Sequence, residues 1–158
     1  IPSLFLLLIV ASVMPFAGPT ALILVLGLLG WMGTTRLVRG ETLSLREREY
    51  IISARAVGAS PIRIMFVHIL PNLFSVIIVT LMLDIGVLIL TEAALSYLGL
   101  GIKAPTPSWG NMLTGAQAFF VYGIHLVIFP GLMIFITVLC LYILGDGFRD
   151  AFDPTAKD

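Results

Sequence analysis

Four long apolar stretches, separated by short polar or glycine- and proline-rich segments, set the pattern of this chain. They occupy residues 4–16, 20–38, 69–90 and 119–144. About 20 mainly apolar residues are needed to cross the hydrocarbon core of a bilayer. The second, third and fourth stretches meet that length, and each predicts a membrane-spanning helix. The first is short and is ended by Pro15 and the turn-forming Gly18-Pro19. It is expected to be a tilted span that starts before Ile1, or the end of one. Pro130-Gly131 predicts a kink in the fourth. The expected fold is all-α, a polytopic transmembrane helical bundle of about four spans forming a single domain over residues 1–158.

The polar segment 41–68 breaks the pattern and can be read residue by residue. Ser44 followed by Glu47 has the form of a capping box, which predicts a helix starting near Leu45. Leu43, Tyr50, Ala54 and Val57 fall on one side at helical spacing, with Ile51 close by, while Arg48 and Arg55 lie on a neighbouring stripe. Gly58 suits a left-handed helix stop. Ser60-Pro61 then reads as a new N-cap with proline in the first helical position. The second helix runs towards Ile69 and meets Pro71 at the start of the third span. A compact helix pair turning at Gly58-Ala59 is expected. It serves either as an interfacial hairpin that joins two spans or as a docking surface. Ala54, Ala56, Gly58 and Ala59 favour docking, because small residues let another backbone approach.

Composition agrees with the pattern. The chain is 59% hydrophobic and 11% charged, with a mean hydropathy of +1.08, whereas soluble domains are about a quarter charged. Six of the nine basic residues, Arg36, Arg39, Arg46, Arg48, Arg55 and Arg63, fall within 28 residues that hold three acids, Glu41, Glu47 and Glu49. That bias places the 41–68 segment in the cytoplasm. Counting outward, Ile1 is inside, Gly18 and residues 99–118 are outside, and the tail 145–158 is inside. The outer segment carries a single basic residue, Lys103. Trp31 and Trp109 fit membrane interfaces, and PTPSWG at 105–110 reads as a stiffened outer turn. No basic leader with a cleavage site is visible at Ile1.

Ionisable groups inside apolar stretches are costly and are read first as functional. Thr80, Asp84 and Thr91 share one side of the third stretch at helical spacing, and Glu92 lies beside them. All four are candidates for lining a pore. The alternative is a carboxylate satisfied by a neighbouring helix, or a protonated one. His125 is expected to pack inside the fourth span, His68 to anchor at the interface, and Cys140 to pack in its apolar run. Neither these histidines nor the single cysteine forms a metal cluster, so no metal or cofactor is expected. No phosphate-binding glycine loop, no Cys-x-x-Cys and no Gly-x-Ser-x-Gly occurs. No basic patch with interleaved aromatics points to nucleic acid. The chain is expected to be no enzyme.

Two short motifs then carry a resemblance. ARAVGAS followed by HILPN resembles the EAA loop of the membrane subunits of bacterial ABC importers. Gly58 matches the motif's glycine, Ala54 its second alanine and Leu70-Pro71 its Leu-Pro pair. Ile52 and Ser53 stand where glutamate and the first alanine would be. SLREREYIISARAVGAS, TEAALSYLGLGIKAPTPSWGNML and LGDGFRDAFDP, in that order, look like the dipeptide/oligopeptide/nickel branch of these permeases. The resemblance covers essentially the whole chain and corresponds to roughly the C-terminal two-thirds of a full subunit, without its N-terminal part.

That resemblance implies a type I importer permease in a bacterial or archaeal cytoplasmic membrane, carrying di- or oligopeptides. Nickel or another small solute is the alternative cargo. The implied partners are a homologous permease, two cytoplasmic ATPase subunits that hydrolyse the ATP, an extracytoplasmic binding protein and membrane lipid. The implied ATPase-coupling residues are Glu49, Ala54, Arg55, Gly58, Ala59, Leu70 and Pro71, with Glu49 as a partial substitute for the glutamate missing at Ile52. A truncated permease that docks an ATPase without transporting, and an ion-coupled carrier using Asp84, are the rival readings.

Overall fold

The computed structural model describes residues 3–13 and 18–152. Pro15, Phe16 and the end of the tail, residues 153–158, lie outside them. In chain order the elements are α1 (Ser3–Val13), α2 (Pro19–Arg46), α3 (Glu49–Ala56), α4 (Pro61–Tyr97), α5 (Trp109–Ala116) and α6 (His125–Phe152). Among the described residues there is no strand, as the all-α expectation requires. Three helices, α2, α4 and α6, are long and apolar enough to cross a membrane. At 1.5 Å per residue, the 28 residues of α2 or α6 reach about 42 Å, more than the hydrocarbon core alone.

The helix ends depart from the sequence reading in three places. Ser44 does not cap a new helix. Instead α2 runs on through Arg46, with Leu45 packed into a hydrophobic cluster, and the break falls at Glu47 and Arg48. There Glu47 N–H donates to the Ser44 carbonyl at 3.3 Å and Arg48 N–H to that of Leu45 at 3.1 Å. The strong helix formers around Ser44 and the anchoring of Leu45 outweigh the capping signal. Second, α6 begins at His125 rather than at Phe119. Residues 117–119 form a tight helical turn, which closes with Tyr122 and Gly123 both donating to the Phe119 carbonyl. His125 is therefore an exposed residue at the head of α6. Third, the 99–118 segment contains the helix α5. Ser108 caps it by accepting from Asn111 N–H at 3.1 Å.

α4 is one unbroken helical run containing a wide turn. Residues Ile64–Ile69 pair five apart, with Leu70 N–H donating to the Met65 carbonyl. The reason lies at Pro71, which has no N–H to give and whose ring crowds the carbonyl four residues back. Widening the preceding turn moves that carbonyl aside, and Asn72 Nδ2 donates to the His68 carbonyl at 2.7 Å.

By contacts the described chain divides into two compact units. One comprises Ile1–Gly30 with Leu83–Ile143, the other Trp31–Met82 with Leu144–Asp158. In the first, Leu7, Ala11, Leu22, Leu95 and Ile134 are buried, as is Pro130 inside α6. In the second, Ile51, Ile64, Ile69 and Leu73 form a buried cluster against Val38, Leu45, Ala59 and Ile77. The Phe74 and Phe152 rings also meet there edge to face, 5.5 Å apart. Many large apolar side chains on α2, α4 and α6 remain exposed, Cys140 of α6 among the exposed residues instead of packed as expected.

Candidate functional site

The α3 hairpin is built from local rules and one long-range anchor. α3 ends in a Schellman motif: Gly58 N–H donates to the Arg55 carbonyl at 2.9 Å and Ala59 N–H to that of Ala54 at 3.0 Å. Gly58 takes φ +87°, the left-handed conformation that the sequence asked of it. Ser60 Oγ then accepts from Arg63 N–H at 3.3 Å with Pro61 in the first turn of α4, again as read. Ile51, fully buried at 0% exposure, fixes α3 to the cluster on α4.

The expected apolar stripe does not hold as a packing face. Leu43 belongs to α2, and Val57 is 89% exposed. Ile51, noted only as a neighbour of that stripe, is the side chain that packs. Ile52 and Ile62 project outward as well, at 55% and 69% exposure. Large apolar side chains left exposed on one short hairpin make it a candidate interaction surface. The sequence reading missed Ile52, Val57 and Ile62 as a set; their apolar character next to charged neighbours was the available signal. Glu49, Ala54 and Arg55 lie on α3, Ala59 follows the turn, and Leu70 and Pro71 sit at the end of the wide turn of α4. Arg55 and Leu70 line one groove with Ala59, while Glu49 lines another shallow one with Arg48, Tyr50 and Asn72.

The second candidate region lies in the other unit. A cleft of about 680 Å³ is lined by Leu22, Ile23, Ile85, Ile89, Trp109 and other apolar groups, with Glu92 as its one charged residue. Asp84 and Thr91 are not among its lining residues. Thr91 and Thr80 each donate to a carbonyl of their own helix, Val87 and Val76, at 2.7 Å.

Glu92 is held by a buried hub at Ser96. The Ser96 hydroxyl donates to Glu92 Oε1 at 2.7 Å and accepts from Ile102 N–H at 2.9 Å. The Ser96 carbonyl accepts from Thr114 Oγ1 of α5 at 2.8 Å. Gly110 lets α5 approach this closely, since a Cβ there would stand 2.6 Å from Ala93 Cα and 2.7 Å from its carbonyl oxygen. Glu92 is thus a fixed acceptor in a largely apolar wall. Among the described residues no group of three or more His, Cys, Asp or Glu side chains could hold a metal ion.

The whole chain, residues 1–158, matches the family described as binding-protein-dependent transport system inner membrane component. The chain belongs to this family. It is therefore a multi-pass membrane component of a transport system, and α2, α4 and α6 supply its apolar helices. Among curated proteins it is similar to the glutathione transport system permease protein GsiD of Salmonella paratyphi A, Salmonella typhimurium (strain LT2) and Escherichia coli O1:K1. In each case the two are 51% identical over 122 residues, which is 77% of this chain and 40% of the relative. The match thus spans less than half the length of those permeases.

Proposed function

We propose that this chain forms part of the translocation pathway of an ATP-driven importer of short peptides, and that α3 and its Gly58 turn dock a cytoplasmic ATPase. The family match over the entire chain carries this reading. The relatives are named for transport of glutathione, itself a tripeptide, which supports a peptide-type cargo over nickel. A homologous permease, two ATPase subunits and an extracytoplasmic binding protein complete the proposed assembly. ATP hydrolysis resides in the ATPase subunits.

In this mechanism the exposed Ile52, Val57 and Ile62 seat in the ATPase, and Glu49 on the same hairpin adds a polar contact. Closure of the ATPase pair moves α3. Ile51 passes that motion to Ile64, Ile69 and Leu73 of α4, biasing the spans between inward- and outward-facing arrangements. Thr80, Asp84, Thr91 and Glu92, all on α4, supply the polar surface of the pathway.

Affinity purification of the tagged chain in mild detergent, followed by mass spectrometry, tests the assembly. An ATPase subunit is expected in the recovered complex. Uptake of a labelled di- or tripeptide should then require ATP and persist when a protonophore collapses the proton gradient. Recovery of no ATPase, or uptake driven by the gradient alone, contradicts the proposal.

A further inference from the structure

Two grooves in the unit that holds α3 share one wall. The first, about 610 Å³, is lined by Arg46 of α2, Arg55 of α3 and the apolar Ile64, Met65, Ile69 and Leu73. The second, about 540 Å³, is lined by Thr34, Thr35, Arg39 and Leu43 of α2. Val38, Thr42 and Arg46, four apart along α2, line both, so the two adjoin as one strip along this row. Three arginines, Arg39, Arg46 and Arg55, are among its lining residues. None of the nearby acids, Glu41, Glu47 or Glu49, lines either groove.

We propose that this strip binds an anionic phospholipid of the cytoplasmic leaflet. The headgroup phosphate would sit among Arg39, Arg46 and Arg55, and an acyl chain would lie along the exposed Met65 and Leu70. The charge bias of the chain puts the strip on the cytoplasmic side, where anionic headgroups draw basic residues. Guanidinium is the cation suited to a phosphate, because its fork bonds two oxygens together. Positive charge alone would serve any anion. The apolar wall beside it selects one that carries a hydrocarbon chain. The Thr42 hydroxyl, shared by both grooves, is already committed, its Oγ1 donating to the Val38 carbonyl at 2.7 Å.

The test is native mass spectrometry of the purified complex containing this chain, delipidated and then incubated with phosphatidylglycerol and phosphatidylcholine of matched chain length. The wild type should retain phosphatidylglycerol preferentially. Each basic residue near an anionic headgroup is worth about fivefold, so R39Q/R46Q/R55Q should weaken retention roughly 100-fold. R36Q should retain the lipid as the wild type does, since Arg36 lines neither groove and its Nε donates to the Met32 carbonyl. R39K/R46K/R55K should keep most of the binding, which separates loss of charge from loss of fold. Equal retention of both lipids overturns the proposal, as does unchanged retention by the triple glutamine variant. Displacement by millimolar glycerol 3-phosphate would reduce the strip to an anion site and also overturn it. Loss of the ATPase subunit from the triple variant, with phosphatidylglycerol retention unchanged, would assign the arginines to an acidic protein surface instead.

Discussion

Ile51→Ala separates the two jobs of α3, being held and being grasped. Ile51 is the only residue of this eight-residue helix that is fully buried, and a helix that short has little stability of its own. The substitution removes three carbons from contact with Ile64, Ile69 and Leu73, at about 0.8 kcal/mol for each buried carbon. The cavity adds to that, because these neighbours sit on a single continuous helix and cannot close in freely. A total of about 3 kcal/mol follows, within the usual range for such truncations. At 1.4 kcal/mol per tenfold, opening of α3 should become roughly 100-fold more frequent. Amide hydrogen exchange of residues 49–56 in the detergent-purified complex reads this directly. Val57→Ser, at a side chain 89% exposed, should leave exchange in the isolated permease unchanged and weaken ATPase binding. Ile51→Ala should instead leave ATPase hydrolysis running while peptide uptake falls. If exchange in Ile51→Ala stays within about threefold of the parent, or if Val57→Ser accelerates it equally, the anchor assignment is wrong.

Three further outcomes follow from local geometry. Gly58→Val forces a β-branched residue to φ +87° and should cost about 1–2 kcal/mol in a denaturant melt, with Gly58→Asn recovering much of the loss. Gly110→Ala drives a Cβ into the Ala93 backbone, displacing α5 and its Thr114–Ser96 bond at a cost of about 1–3 kcal/mol. Gly115→Ala, which meets nothing within 4 Å, should be neutral or stabilising by up to about 1 kcal/mol; equal melting shifts for the two alanines would refute the close approach. One glycine inserted between Glu47 and Arg48 should leave uptake within about threefold of wild type. One inserted between Phe66 and Val67 rotates the preceding residues by about 100° and should abolish uptake; the opposite ranking would refute the proposed route of coupling.

What could be read from the sequence here was governed by backbone chemistry. Gly58, Ser60 and Pro61 impose their conformations within a few residues, so their turn and cap emerged as expected. Ser44 and Glu47 failed as a cap because a cap needs the chain to leave the helix first, and α2 has no reason to leave while Leu45 is being buried. Periodicity placed Tyr50, Ile51 and Val57 near one another but could not say which one faces the chain, since that depends on Ile64 and Ile69 arriving from a later element. α5 was hidden for the same reason. Its segment is full of glycine, proline and serine, and what fixes it is Gly110 against Ala93 and Thr114 on the Ser96 carbonyl. Only the carboxylate at Glu92 was visible, and without Ser96 beside it nothing indicated that one of its oxygens was already held.

The two connections of α3 are physically unequal, and that inequality gives the proposed coupling a direction. On its N-terminal side α3 meets α2 through Glu47 and Arg48, held by single turn bonds of 3.3 and 3.1 Å. On its C-terminal side it is closed by both bonds of the Schellman motif, capped again by Ser60 and locked through Ile51 onto Ile64, Ile69 and Leu73, a cluster against which Val38 and Leu45 of α2 also rest. A displacement of α3 can be absorbed by φ and ψ changes at the first junction. At the second it bears directly on α4. Pro71 would ordinarily weaken such a helix, yet the wide turn at Ile64–Ile69 and the Asn72–His68 bond keep the run from Pro61 to Tyr97 continuous. The same run carries Asp84 and Glu92. In the proposed mechanism a motion of α3 is therefore passed first to α4, the helix that also carries Asp84 and Glu92, while the α2 junction is the more compliant of the two chain connections.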